Sequence, residues 1–220
     1  MALIAGAMTT LADVKAMLGI TDMDQDIRLE NLINRTSAMI AHYCDRVFIR
    51  STYTAETHTG TNRQALCLRQ WPIVSVSSVT SGGTALATTE YELKPQDMER
   101  GVLYKADGWN QNTTYATGLT SDTWASGRDY SVTYIAGYYM PTQVGYTGGA
   151  DGSLPMELVS LCETMVASAN LAWKYQALGL KRITEGALTY EWGTAAAYGP
   201  HGLPADLEAI IARYSRKVAA

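Results

Sequence analysis

Asp22, Asp24 and Asp26 alternate along the chain as the first ligands of a calcium-binding loop do. Such a loop needs glycine in sixth place and a closing glutamate, and the sequence supplies Ile27 and Ile33 instead. The three carboxylates therefore read as an acidic turn ahead of a helix, where negative charge suits the positive end of the helix dipole. His42, His58 and His201 have no cysteine or carboxylate at ligand spacing. Cys44, Cys67 and Cys162 lie far apart, without zinc or redox pairing, and read as buried small hydrophobes. "SGGT" lacks the lysine and helix of a phosphate-binding loop, and "TEGALTYEWG" lacks a strong preceding strand. Glu185 and Glu191 beside Trp192 could be imagined as a glycosidase pair, yet two carboxylates near an aromatic occur by chance in most chains. The expectation is a protein with no metal, no cofactor and no catalytic residue.

The aromatic residues offer a different chemistry. One Phe stands against 14 Tyr and 5 Trp, and Tyr and Trp are the aromatics that serve half-wet surfaces, so extensive subunit contact is one reading. Trp109, Tyr115 and Trp124 punctuate a polar stretch rich in Gly and Thr, read as a surface excursion. Their rings could form a sugar-binding platform, or anchor loops and subunit contacts. A net charge of −4 and no basic stripe argue against a protein that grips nucleic acid, because phosphate binding needs clustered Lys and Arg. "MALIAGAMTT" has no basic region, and its apolar run is too short for a signal peptide or membrane helix, so a soluble, unexported protein is expected.

The elements that would position these residues follow from periodicity. "TTLADVKAMLGI" has an N-cap at Thr10, Asp13 three residues on, and a stop at Gly19. Leu29, Leu32, Ile33, Met39, Ile40 and Tyr43 recur every 3.6 residues and predict a longer second helix. From Val47 the period changes to two, through "VFIRSTYTAETHTG" and "ALCLRQWPIVSVSSVT", with "SGGT" as a turn and Pro72 at a strand start or edge. "YELKP" and "GVLYK" predict a second hairpin around "QDMER", and "YSVTYIAGYY" resumes the sheet. Pro155 opens the strongest helix, striped by Leu158, Leu161, Cys162, Met165, Ala169, Ala172 and Trp173. A single short extended segment is expected within "GLKRITEGALTYEWGTAAAYGPHG", and a closing helix begins at Leu203-Pro204 with Leu207, Ile210, Ile211 and Tyr214 on one face. Arg213, Arg216 and Lys217 crowd its last turn, where positive charge complements the dipole.

This order resembles the head-to-tail adaptor proteins of long-tailed bacteriophages. The resemblance runs from about Leu11 onward, and 109–128 and 141–153 are its least typical parts. It is carried by "TLADVKAMLGITDMDQDIRLENLINRTSAMIAHYCDRVF", the "WP" strand "LCLRQWPIVSVSSVT", "YSVTYIAGY", "LPMELVSLCETMV" and "GLPADLEAIIARYSR". It implies an α+β fold, a bundle of helices with an inserted antiparallel β region and a C-terminal docking helix. The expected layout is a helical core at 10–46 and 154–179, a β-rich insertion at 47–140, a loop at 141–153 and a C-terminal arm at 180–220.

The function the resemblance implies is that of a virion neck ring, usually dodecameric. Such a ring docks on the portal protein, meets a stopper or tail-completion protein, and lets packaged DNA pass through its lumen without specific binding. Carried onto this chain, the docking face would be Leu207, Ile210, Ile211 and Tyr214, flanked by Arg213, Arg216 and Lys217. The closing segment then reads as a docking arm more than a core helix. Rival readings are a stopper or tail-terminator ring, which would be richer in strand, a glycan-binding module of a phage fibre, and a hydrolase. A phage, a prophage or a gene transfer agent could use the same part.

Overall fold

In a computed structural model of the chain, residues 2–109, 129–148, 152–176, 182–185, 188–191 and 205–215 are described. The chain forms two compact units, Met1–Ile49 with Tyr139–Ala220, and Arg50–Tyr138. Helices dominate the first and antiparallel strands the second, so the fold is α+β.

The helical unit opens with α1, Leu11–Leu18. Thr10 Oγ accepts from the Asp13 amide at 3.2 Å, and Gly19 closes the helix with a φ of 66°, which costs a residue without Cβ little. Helix α2, Asp26–Tyr43, buries Leu29, Ile33, Thr36, Ser37 and Ile40. The buried stripe leans toward Ser37, so Met39, about 80° around the helix from Leu29 at 100° per residue, stays 38% exposed, against the expected stripe. Ser37 holds its place by accepting from the Met8 amide at 3.0 Å, with its hydroxyl 3.6 Å from Cys162 Sγ.

Helix α4, Met156–Gln176, packs on α1 and α2. It buries Leu158, Val159, Leu161, Cys162, Met165 and Val166. Strands β7, Arg182–Glu185, and β8, Leu188–Glu191, pair antiparallel, where a single extended segment was expected. Helix α5, Ala205–Tyr214, lies against α4.

In the second unit, the main sheet has the order β1-β6-β3-β4, all antiparallel, with β1 at Ser51–Thr59, β3 at Ile73–Ser81, β4 at Thr84–Ala85 and β6 at Asp129–Ala136. Gly82 and Gly83, with φ of 56° and 84°, make the β3–β4 turn anticipated from "SGGT". Strand β6 alternates strictly and buries Tyr130, Val132, Tyr134 and Ala136. Leu66 of β2, Ala65–Cys67, and Leu103 of β5, Val102–Tyr104, join the same core.

Two local expectations change. The alternation expected from Val47 begins only at Ser51. The chain leaves α2 through Asp45, whose φ is 48°, and this shifts the phase so that Phe48 is buried and Val47 is 45% exposed. The hairpin expected between "YELKP" and "GVLYK" is reduced to one Glu92–Tyr104 bridge. A short helix, α3 at Pro95–Met98, occupies the intended turn, and β5 takes β2 as its partner. Proline at the first helical turn fits helix initiation and leaves no amide for a ladder.

Candidate functional site

The face of α5 expected to dock is divided by the fold. Ile211 is 1% exposed and belongs to the helical unit's own core, while Leu207, Ile210 and Tyr214 are half-buried. Cys44 Sγ lies 3.9 Å from the Ile211 carbonyl oxygen, and Ser215 Oγ donates to that oxygen at 2.6 Å. Arg46, buried at the end of α2, donates from Nη1 to the Tyr214 carbonyl at 3.2 Å and lies 4.9 Å over the Phe48 ring. The closing helix is thus a packed member of the helical unit, where sequence alone suggested a separate arm. Its amphipathic stripe required a partner, and the chain supplies one in α4.

One ionic anchor fixes the outer edge of α5. Arg213 Nη1 donates to both carboxylate oxygens of Glu157, at 2.8 and 2.9 Å, and the Tyr214 hydroxyl donates to Oε2 at 3.1 Å. The donors from Arg213 and then Tyr214 hold the Glu157 carboxyl below its ordinary range, and the carboxylate in turn raises Arg213. Glu157 sits in the first turn of α4 and Arg213 in the last turn of α5, so each charge also complements its own helix dipole. Arg216 and Lys217 lie outside the described residues.

A second polar cluster, in the β unit, was missed by sequence reasoning. His58 Nε2 and Glu56 Oε1 are 2.6 Å apart, with both side chains largely buried. The Tyr134 hydroxyl donates to the same oxygen at 3.0 Å and accepts from the Gln70 amide at 3.3 Å. The Arg69 amide also donates to Glu56 Oε1, at 3.3 Å. Burial alone would raise the Glu56 carboxyl, but the donors from His58, Tyr134 and Arg69 outweigh it and hold the group below its ordinary value. Burial, and then the Glu56 charge, push the Tyr134 phenol well above its usual range. The signal lay in the spacing, because residues two apart on a strand share a face. An acid, an imidazole and a phenol could move a proton, but all are spent joining β1, β6 and the segment before β3, and the cluster reads as a fastening.

Other residues singled out from sequence do not converge. Among the described residues no group of three or more His, Cys, Asp and Glu could hold a metal ion. Asp26 pairs with Lys15 at 2.7 Å and Asp22 Oδ1 accepts from the Asp24 amide, as suits an acidic turn. Cys44 and Cys162 are buried, but Cys67 is exposed, because β2 buries only its middle residue, Leu66. Glu185 stands opposite Leu188 and Glu191 opposite Arg182, at opposite ends of the hairpin. His201, Tyr115 and Trp124 lie outside the described residues. Trp109 is fully buried, its indole nitrogen donating to Gln64 O at 3.1 Å and Leu103 O at 3.2 Å, with its ring edge-on to Tyr130 at 5.0 Å. It is core, so it cannot be part of an exposed sugar platform. No described helix is long and apolar enough to cross a membrane.

The described residues thus make a helical unit that closes over a sequence-distant helix and an antiparallel β unit inserted into it. A family model described as "Head completion protein" matches residues 7–144, more than half of the chain, and the chain belongs to the head completion protein family. A chain of the "virion of native gene transfer agent (GTA) particle" has a similar fold, with a TM-score of 0.50 at 16% identity, over 100% of this chain and 95% of that one. Chains of the "neck of empty GTA particle computed with C6 symmetry" and the "neck of native GTA particle computed with C12 symmetry" align at TM-scores of 0.49 and 0.47, both at 16% identity. They too cover 100% of this chain, and 95% and 94% of their own. No curated protein matches.

Proposed function

We propose that this head completion protein is a neck adaptor: copies form a ring that docks on the portal, joins the filled head to a stopper or tail-completion protein, and helps retain DNA. The observation that carries the reading is the family match over residues 7–144. The role is structural and involves no chemical step. A dodecameric ring is the symmetry expected from the adaptor resemblance, and an acidic chain suits a conduit, since a basic wall would hold sliding phosphates.

Docking is assigned to the outer side of α5. Leu207, Ile210 and Tyr214 offer half-exposed apolar surface, Arg213 lies at the edge, and Arg216 and Lys217 follow it in sequence. Ile211 acts from beneath by holding the helix to its unit. One short helix contributes little alone, because burying a Leu or Ile yields about 1.5–3 kcal/mol. Repetition around a ring raises effective concentration and makes the assembly tight. Particles carrying Ile210→Asp should package DNA but bind no tails. Normal tailed particles from that variant, with the protein at wild-type level in the neck, would reject the docking face.

A further inference from the structure

We propose that successive copies of the chain meet through charge: the groove between α2 and α4 of one copy receives the acidic segment 90–100 of the next. The proposal rests on the ring reading above and names the contact that builds the ring. The groove is a depression of about 380 Å³ lined on α2 by Ile27, Arg28, Asn31, Leu32 and Arg35, with Asp24 before the helix and Ala169 of α4 opposite. Arg28 and Arg35 are seven residues apart, close to two turns, so they share a face of α2 about 10.5 Å apart along its axis. An adjoining depression shares Asp24 and Arg28 and adds Leu171. Ile27 is 66% and Leu171 43% exposed, so uncovered apolar surface lies beside the guanidiniums.

Arg35 distinguishes this face. The other described cations of the helical unit are engaged: Lys15 on Asp26, Arg28 on the Asn170 carbonyl, Arg46 on the Tyr214 carbonyl and Arg213 on Glu157. Arg35 is exposed and makes no hydrogen bond or ion pair among the described residues. The Asp24 carboxylate, also exposed, is equally uncommitted there.

The complementary charges are in the β unit. Residues 90–99 hold four carboxylates, Glu90, Glu92, Asp97 and Glu99, and one base, Lys94, whose ammonium lies 3.5 Å over the Tyr104 ring. Glu90 accepts from the Ala87 amide at 2.8 Å and Glu99 from the Tyr138 hydroxyl at 3.4 Å, but the Glu92 and Asp97 carboxylates accept no hydrogen bond among the described residues. Arg100 follows them, exposed and without a partner among the same residues. Pro95 is exposed and Met98 half-buried, so the segment also brings apolar surface. It is held in shape by α3 and by the Glu92 and Tyr104 backbones, which exchange bonds at 2.8 and 2.9 Å.

The two surfaces match in sign and in kind. Glu92 and Asp97 answer Arg28 and Arg35, Arg100 answers Asp24, and Pro95 and Met98 meet Ile27 and Leu171. Copies that each carry a net charge of −4 repel one another unless cations of one face acids of the next, so the charges select the segment and the apolar cover supplies the gain. An exposed ion pair alone contributes little, and the contact needs both parts. Groove and segment are different surfaces of one chain, so the contact is heterologous and propagates until it closes on itself.

The test supplies full-length variants to particles lacking the gene. Arg35→Glu should lower the yield of tailed particles at least tenfold, and so should Glu92→Arg combined with Asp97→Arg. The three changes in one chain should restore most of that yield, because the charges are exchanged and not removed. A second measurement keeps the charge: particles carrying Arg35→Lys, treated with a carbodiimide, should yield a cross-linked dimer in which an amide bond joins position 35 to 92 or 97. Normal yield from Arg35→Glu, no recovery in the triple variant, or position 35 joined to a different protein or only within its own chain would overturn the contact. Particles lacking the gene that carry tails normally would remove the ring reading and this contact together; if those particles are tailless, a failed exchange counts against this contact alone.

Discussion

Arg213 and Glu157 lie fifty-six positions apart in the chain, yet one guanidinium nitrogen of the former contacts both carboxylate oxygens of the latter, at 2.8 and 2.9 Å. This pair joins the last turn of α5 to the first turn of α4. Because both side chains are well exposed, it orients the closing helix more than it stabilises the fold. Glu157→Gln should speed amide exchange in 205–215 while leaving α1 and α2 unchanged, and the difference should shrink as salt is raised. Equal protection in both proteins at low salt would mean that packing alone positions α5.

Ile211 supplies that packing. Ile211→Ala should lower stability by about 2–5 kcal/mol, as large-to-small changes at buried sites do. Removal of everything after Gly202 should likewise destabilise the helical unit, which reverses the expectation drawn from sequence. Chemical denaturation of the two proteins checks this, and an unchanged midpoint would return α5 to the status of a free arm.

The Glu56 cluster predicts an acid-sensitive β unit. The Glu56 carboxyl is held below its ordinary value, so its contribution is present above the pKa of the unfolded chain and is lost as pH falls through the folded value. Glu56→Gln should cost on the order of 1–3 kcal/mol at neutral pH, the scale of disrupting hydrogen bonds to a buried charged group. The gap between wild type and variant should close in acid. A gap independent of pH, measured by urea denaturation from pH 7 to pH 3, would contradict the assignment.

Trp109→Ala should cost about 3–5 kcal/mol by opening a cavity in the β unit. Trp109→Phe should cost less, retaining most of the packing but leaving Gln64 O and Leu103 O without the indole donor. Full stability of the alanine variant by thermal melting would place this ring outside the core.

The thiols give a chemical check on burial. Burial pushes Cys162 up to about 12, and Cys44 is also raised by burial against the opposing effects of Ser215 and Arg46. A thiol reacts as its thiolate, so a maleimide should label Cys67 alone in the native protein and all three cysteines after denaturation. Rapid native labelling of Cys44 would mean that α5 lifts away from α2 readily.

What could be read in the sequence was local. The Thr10 cap, the Gly19 stop, the paired glycines after β3, the alternation of β6 and the proline before α4 each declare themselves within a few residues. What could not be read depends on partners far along the chain. Strand β5 was expected to pair with "YELKP" beside it, and the fold pairs it with the more distant β2. Glu56 and His58 share a face by spacing, but Tyr134, which makes them a cluster, comes from a strand more than seventy residues later. The stripe on α5 told that a face must be covered without telling by what, and Ile211 and Ile210 differ in just that respect. Trp109 looked like a surface ring because its neighbours are polar, whereas the carbonyls that hold its indole come from 64 and 103.

The most direct test of the neck assignment is electron microscopy of particles formed when this gene is absent from its parent genome. DNA-filled heads that leak their contents or carry no tails are expected, with tail joining restored by supplying the protein. Normal tailed particles that retain their DNA would contradict it.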